Sequence, residues 1–364
     1  MKHKMVIAIL TLSLLAAGCR AYISHPKFGA TPRKERLKSI QASPNYRDGC
    51  FQNISVTPQL TENFLKAAFQ PFSRQRKPKG EIPVVKTDLN ALSLQDDLLV
   101  WFGHSSYFFQ AEGRRFLVDP VLSRAASPAP FVNTAFKGAD AFDPEDIPDI
   151  DYLIITHDHW DHLDYPTVKA LRPRTGKVIC PLGVGAHFER WGYDESNVVE
   201  MDWEDSLELD SCFAIHCFPA RHFSGRGFKA KQSLWASFLL KSETLTLYIG
   251  GDGGYDTHFA RIGERFGSID FALLENGQYN SAWRYIHLQP EETLQAAKDL
   301  HAKNVIPVHN SKFSMSNHDW NEPLQRLSEL SDADAGFRLL TPKTGEIVLL
   351  RDTTQTFARW WPDV

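Results

Sequence analysis

The chain has little cysteine, no basic stripe and no regular internal repeat. Its five cysteines in 364 residues, Cys19, Cys50, Cys180, Cys212 and Cys217, are too few and too unevenly placed for a dense disulfide framework. Cys212 and Cys217 lie five apart on an apparent strand and face opposite sides, which argues against their pairing with each other. Mostly buried thiols are expected. Lys and Arg number 40 against 44 Asp and Glu, with no basic run long enough to follow a phosphate backbone. That argues against nucleic acid as substrate or partner, because its binding rests largely on Lys and Arg neutralising phosphates. The one strongly apolar run, Met5 to Leu15, is too short for a usual membrane span.

What is present is ordinary in bulk: 43% hydrophobic and 23% charged residues, the mixture of a globular protein with a substantial core. The beginning is distinctive. Lys2 and Lys4 precede the apolar run, and Ala16-Ala17-Gly18 supplies small residues before Cys19, which together read as a secretory signal. With that cysteine in place, residues 1–18 resemble a bacterial lipoprotein signal, although Ala16 stands where leucine is usual. The resemblance implies lipidation of Cys19, anchoring to a membrane and, with Arg20 following, the outer membrane of a Gram-negative cell. A cleaved signal with an incidental cysteine is the alternative. Without the first 18 residues, and so without Lys2 and Lys4, 38 basic side chains face 44 acidic ones, a balance of −6.

Residues 19–92 are polar and broken by Pro26, Pro32, Pro44, Pro58, Pro71, Pro78 and Pro83, and read as a solvated N-terminal arm. The loose cluster Arg74, Arg76, Lys77, Lys79 and Lys86 offers a contact for anionic lipid headgroups as the sharper alternative. A regular domain is expected over residues 93–364. Leu98–Phe102, Tyr107–Phe109 and Arg115–Val118 read as a strand meander, and Asp151–Ile155, Lys177–Cys180, Cys212–Phe218, Ser233–Leu240, Leu245–Ile249, Phe271–Leu274 and Val305–Val308 as further strands. Tyr165–Leu171, Gly185–Trp191, Pro290–His301 and Pro323–Leu330 read as helices. Strands and helices alternate in two successive halves, which suggests two sheets covered by outer helices.

The chemistry concentrates in Thr156-His157-Asp158-His159-Trp160-Asp161-His162-Leu163-Asp164, directly after the apolar run Tyr152–Ile155. Imidazoles and carboxylates are the donors that zinc favours, and a polar loop rarely spends three histidines and three aspartates on eight positions. His222, Asp252 and His309 each follow another strand. Ligands gathered from several strand ends are what a site across a sheet edge requires.

His157-x-His159-x-Asp161-His162 followed by His222, Asp252 and His309 resembles the metallo-β-lactamase-fold hydrolases. Within them it is similar to the N-acylphosphatidylethanolamine-hydrolysing phospholipase D group and its bacterial relatives. Trp101-Phe102-Gly103-His104-Ser105, Phe116-Leu117-Val118-Asp119-Pro120, Gly250-Gly251-Asp252-Gly253-Gly254-Tyr255 and Tyr285-Ile286-His287-Leu288-Gln289-Pro290-Glu291-Glu292 add to the likeness, which runs from about residue 95 to 320. The resemblance implies an α/β fold, a four-layer αβ/βα sandwich. It also implies two zinc ions, one held by His157, His159 and His222, the other by Asp161, His162 and His309, with Asp252 bridging both. A metal-bridging hydroxide would be the nucleophile, with Asp161 in the catalytic centre and His287 stabilising or protonating the reacting group.

From the residues alone His287 is as readily structural, His104 reads as a structural histidine behind the metals, and Asp119 as an orienting acceptor or a turn residue. Asp158 and Asp164 read as caps of the loop or of the helix after it. Two stretches depart from the family's pattern and leave the substrate open. Ala220-Arg221-His222-Phe223-Ser224-Gly225-Arg226-Gly227 is basic and glycine-rich, so Arg221 and Arg226 could grip a phosphate or carboxylate or simply be exposed charges. Leu274-Glu275-Asn276-Gly277-Gln278-Tyr279-Asn280 is unexpectedly polar. The expected activity is phosphodiester hydrolysis of a phospholipid. A lactone or other cyclic ester is the alternative substrate, and a non-enzymatic metal-binding envelope protein the alternative of another class.

Overall fold

The computed structural model describes residues 18, 20–61, 73–227, 229–334 and 336–364. Cys19 lies outside them. A small hairpin, β1 (Tyr46–Arg47) and β2 (Cys50–Phe51), precedes two seven-stranded sheets. The first sheet contains β3 (Leu98–Trp101), β4 (Tyr107–Ala111), β5 (Arg114–Val118), β6 (Ile150–Ile154), β7 (Thr175–Pro181) and β8 (Val198–Met201). The second contains β9 (Ser206–Glu208), β10 (Ala214–Phe218), β11 (Ser237–Lys241), β12 (Thr246–Ile249), β13 (Ile269–Glu275), β14 (Ala302–Val308) and β15 (Arg338–Leu339). The chain then returns to the first sheet as β16 (Ile347–Leu349), beside β3. Each sheet joins an antiparallel meander to three parallel pairings: β5 to β8 in one, β12 to β15 in the other.

The period-2 alternation of the strands builds the layers. Phe116, Val118, Tyr152, Ile154 and Ile179 of the first sheet face Ile215, Phe238, Leu247, Ile249, Phe271, Leu273, Ile306 and Val308 of the second in one central core. The intervening residues point outward. Leu153, Val178 and Cys180 meet Val168 and Leu171 of α2 (Tyr165–Leu171) and Phe188 of α3 (Gly185–Arg190). On the opposite outer face Tyr248, Ala272, Leu274 and Val305 meet α4 (His258–Phe266) through Phe259 and Ile262, and α5 (Pro290–Asp299) through Ala296 and Ala297. This is the four-layer sandwich. Pro290 opens α5, where Gln289 and Glu292 form a reciprocal capping box. The last helix, α6 (Glu322–Asp334), lies against α5.

Four expectations need correction. The strand expected from Ser233 begins at Ser237. The strand expected from Cys212 begins at Ala214, because Asp210 accepts from the Cys212 and Phe213 amides and makes a turn there. Cys180 and Cys217 are buried, but Cys50 is half-buried and Cys212 exposed. The arm, over its described residues, is docked on the domain at a few buried positions, although most of its residues are partly or fully exposed. It carries α1 (Lys34–Ala42), whose Arg36 reaches Glu200 at 2.5 Å and Glu189 at 2.6 Å, and both Ile40 and Phe51 enter the central core. Sparse apolar residues among prolines gave no periodicity to read, yet Ile40 and Phe51 are almost fully buried while Ile54 and Val56 stay exposed. Phe51→Ala is accordingly expected to cost about 3–5 kcal/mol. Urea denaturation reads this, and a loss below about 1 kcal/mol would return the arm to a tether. Among the described residues no helix is long and apolar enough to cross a membrane.

Candidate metal centre

The candidate ligands stand at strand ends along one edge shared by both sheets. His157, His159, Asp161 and His162 follow β6, His222 follows β10, Asp252 follows β12 and His309 follows β14. The loop after β6 is fixed by Asp119, which accepts from the Thr156 amide (2.8 Å) and hydroxyl (2.6 Å). Asp158 ties it to the His222 segment, accepting from Gly225 N and Ser233 Oγ at 2.7 Å each, and pairing with His187. Asp158 is thus a cross-link, whereas Asp164 caps α2 by accepting from Thr167 N. Gly251 has φ +61°, and a Cβ there would stand 2.9 Å from Thr156 Cβ. Only glycine lets the strand β12 turn so close beneath the loop.

These elements bring the seven side chains together. His157 Nε2 and His222 Nε2 lie 2.9 and 3.2 Å from His159 Nδ1. Nitrogens about 2.0–2.1 Å from one tetrahedral ion are separated by about 3.3 Å, so this trio already has the spacing of a ligand set. Asp252 Oδ2 is 3.1 Å from His162 Nε2, 3.8 Å from His222 Nε2 and 4.0 Å from His157 Nε2, while its Oδ1 is 3.1 Å from His309 Nδ1. Asp161 Oδ2 lies 3.6 Å from His162 Nε2. Single donor atoms of His157, His162 and Asp252 fall within 4.8 Å of one another, as do those of Asp161, His162, His309 and His104.

The polar accounting fits a bound cation. His162 Nε2, His309 Nε2 and Asp252 Oδ1 are buried without a well-aligned hydrogen bond, although Asp252 lies 3.1 Å from His162 Nε2 and from His309 Nδ1, a costly arrangement for a protein alone. His162 Nδ1 donates to Asp119 Oδ2 and His222 Nδ1 to the Ile286 carbonyl, both at 2.8 Å. Each bond commits Nδ1 as the donor and turns Nε2 toward the centre. Burial and mutual proximity hold His157, His222 and His309 well below the usual imidazole range, and burial pulls His159 down to about 4. At His162 burial also opposes protonation, but Asp252, Asp161 and Asp119 overrule it and raise the imidazole. Burial pushes Asp252 up to about 7. A crowd of mostly neutral imidazoles around carboxylates is the donor set of a borderline divalent ion.

Beside this cluster opens a cavity of ≈ 320 Å³ lined by His159, Asp161, His222, Asp252, His287 and His309 on one side. Leu60, Phe223, Trp283, Ile286 and Met315 make its apolar wall. His287 therefore joins the cluster. Arg221 and Arg226 do not line the cavity. Arg221 donates to Val56 O, Thr57 Oγ1 and Tyr255 O, and Arg226 donates to the carbonyls of Lys27, Asp158 and Leu163 beneath Trp160. Both guanidiniums staple the arm to the loops that carry the candidate ligands.

Two residues near the cluster were not singled out as functional from sequence. His104 Nε2 lies 2.9 Å from Asp161 Oδ2, so its ring orients that carboxylate, and its carbonyl accepts from the His309 amide at 2.9 Å. Glu275 ends β13, between the strands that deliver Asp252 and His309, and its Oε2 is 2.8 Å from His287 Nδ1. The signal for Glu275 was in the sequence: a carboxylate closing the apolar strand Phe271–Leu274.

A family model for the β-lactamase superfamily domain matches residues 114–310. The chain is 31% identical over 326 residues to the N-acyl-phosphatidylethanolamine-hydrolyzing phospholipase D 1 of Caenorhabditis elegans, covering 82% of this chain and 90% of that one. It is 55% identical over 95 residues to the outer membrane protein RomA of Klebsiella pneumoniae, which is 26% of this chain and 72% of RomA. Among solved structures, Igni18, a metallo hydrolase of Ignicoccus hospitalis, superposes with a TM-score of 0.53 at 21% identity, over 70% of this chain and 98% of its own. The chain belongs to the β-lactamase superfamily, as a metal-dependent hydrolase of the metallo-β-lactamase fold.

Proposed function

We propose that the protein is a dinuclear zinc phosphodiesterase that cleaves a phospholipid of the N-acylphosphatidylethanolamine kind, releasing phosphatidate and the N-acylated ethanolamine. The observation that carries this reading is the apolar cavity opening directly onto the ligand cluster: one wall suits an acyl chain, the other a phosphate. The C. elegans relative, by its name, acts on such a lipid. His157, His159 and His222 would hold one ion and Asp161, His162 and His309 the other, with Asp252 between them. When bound, the two ions supply a water of lowered pKa and polarise the phosphoryl group. The protein's own part is to keep water from the acyl chain with Leu60, Phe223, Trp283, Ile286 and Met315, and to offer His287 to the departing oxygen. Lipidation at Cys19 would hold the enzyme on the outer membrane beside its substrate, a placement with which the likeness to RomA agrees.

The test uses protein purified without its first 19 residues, loaded with zinc, and given N-acylphosphatidylethanolamine in mixed micelles and, separately, a panel of lactones. Phosphatidate release supports the proposal. Lactone turnover without phosphodiester cleavage overturns it, and two bound ions with no turnover of either would favour a metal-binding envelope protein. Trp283→Ala should lower kcat/KM for long-chain lipid by about 10- to 100-fold, because burying a large apolar contact is worth roughly 1.5–3 kcal/mol. Short-chain analogues should lose little.

A further inference from the structure

Residues 54–60 read Ile-Ser-Val-Thr-Pro-Gln-Leu, and their burial is inverted. Ile54, Val56, Pro58 and Leu60 are exposed, whereas the polar Ser55, Thr57 and Gln59 are half-buried. The apolar exposure is large, 58% at Ile54, 88% at Val56 and 42% at Leu60. The segment is held this way round from several sides. Before it, Asn53 bonds both the amide and the carbonyl of His222. Within it, Arg221 donates to Val56 O at 2.8 Å and to Thr57 Oγ1 at 3.1 Å. After it, Thr61 N donates to Ala282 O at 2.7 Å. Turning the segment over to bury Ile54 and Val56 would break both bonds to Arg221.

Singly exposed apolar side chains are ordinary. A fixed run of them, with the polar residues turned inward, marks a contact surface. Where the run ends tells what it meets. Leu60 lines the cavity that opens on the candidate ligands. On the other side of Arg221 stands Tyr285, 38% exposed, its ring centroid 4.4 Å from the guanidinium carbon, and the next residue, Ile286, lines the same cavity. One apolar surface therefore continues from solvent into the cavity wall. A stable pairing with a second copy would take about 800 Å² on each partner, more than these five partly exposed side chains offer.

We propose that Ile54, Val56, Pro58 and Leu60, with Tyr285, form a docking surface for a lipid leaflet and seat the cavity mouth on the membrane. The inference rests on the phospholipid reading above and adds an orientation to it. An acyl chain could then move from the bilayer into the cavity along apolar surface throughout, without the cost of crossing water. Tyr285 has the amphipathic ring that suits the headgroup level. The anchor at Cys19 would keep the protein near the membrane, and the strip would decide which edge of the sandwich faces it.

The test uses the zinc-loaded chain without residues 1–19, so that no anchor contributes, and vesicles of phosphatidylcholine, which carry no net charge. Wild type should float with the vesicles, and hydrogen exchange over residues 54–60 should slow when they are added. Each methylene taken into the acyl region is worth about fourfold in partition. The double variant Ile54→Ser, Val56→Ser should therefore bind at least about 10-fold more weakly, while unfolding at the wild-type urea concentration. Its kcat/KM on N-acylphosphatidylethanolamine in micelles should fall about 10-fold. A short-chain phosphodiester below its micellar concentration should be turned over within about twofold of the wild-type rate. Equal partition of the two proteins, unchanged exchange over 54–60, or equal losses on micellar and monomeric substrate would overturn the inference. So would a wild-type dimer in sedimentation that the variant lacks, which would give the strip to a second copy. Vesicle binding needs no turnover, so binding through this strip without phospholipid cleavage would uphold the surface and overturn only the substrate.

Discussion

Asp252→Ala should lower kcat/KM by at least about 10³-fold, or about 4 kcal/mol of transition-state stabilisation, while the apo protein stays folded. The carboxylate stands between the two donor groups, within 3.1 to 4.0 Å of His162, His222, His157 and His309. On the dinuclear proposal, its removal would leave the two ions without the side chain that lies beside both donor sets. Without metal the same carboxylate is a burden. It is buried, burial pushes it up to about 7, and Oδ1 has no well-aligned hydrogen bond. The apo variant should therefore unfold at the same urea concentration as apo wild type or a higher one. Metal content by mass spectrometry should fall from two ions per chain. Wild-type turnover in Asp252→Ala, or an unfolded apo variant, would refute the bridging assignment.

Metal removal is the second large effect. At a free zinc concentration 1,000-fold above Kd, binding to the native state alone adds about 4 kcal/mol of stability, which a chelator should abolish and zinc restore. Equal denaturation midpoints with and without chelator would count against the site. The loss should also depend on pH in a known direction. His162 is the imidazole that its carboxylate neighbours raise well above the ordinary value, so in the apo protein a proton at Nε2 competes with the ion. Zinc binding at Nε2 must expel that proton. The apparent Kd of that ion should rise about tenfold for each unit by which pH falls below the raised value. Asp252, which burial pushes up to about 7, should add to that slope below neutrality, whereas His157, His222 and His309, held well below the ordinary value, should add none there. Isothermal titration in buffers of different ionisation enthalpy counts the released protons.

The layers were readable in the sequence because each central strand is an apolar run with a period of two, and a strand end is a visible event. His157, His222, Asp252 and His309 each follow such an end, so their convergence could be anticipated without coordinates. Edge strands β8, β9, β15 and β16 were not anticipated. They are short and partly exposed, and such strands carry little alternation. Arg221 and Arg226 were misplaced for a different reason. A guanidinium near a ligand histidine looks the same in sequence whether it faces substrate or a row of carbonyls. Ile40 and Phe51 escaped notice because a core contact made by an isolated residue over a long loop has no local pattern. Glu275 shows the complementary case, in which local polarity was visible and only the partner, His287, was missing.

Asn53 bears on the practical boundaries of the protein. Its side chain donates to the His222 carbonyl at 2.7 Å and accepts from the His222 amide at 3.2 Å. The backbone of the candidate ligand His222 is thus clamped by a residue that lies well before residue 114, where the recognised family segment starts. His104, Phe51 and the return strand β16 also fall outside residues 114–310. A gene trimmed to the segment that similarity picks out would encode the candidate ligands His157 to His309 in full and yet lack the frame that aims them. Domain swaps, truncations and minimal versions should be cut with the arm and the return strand included.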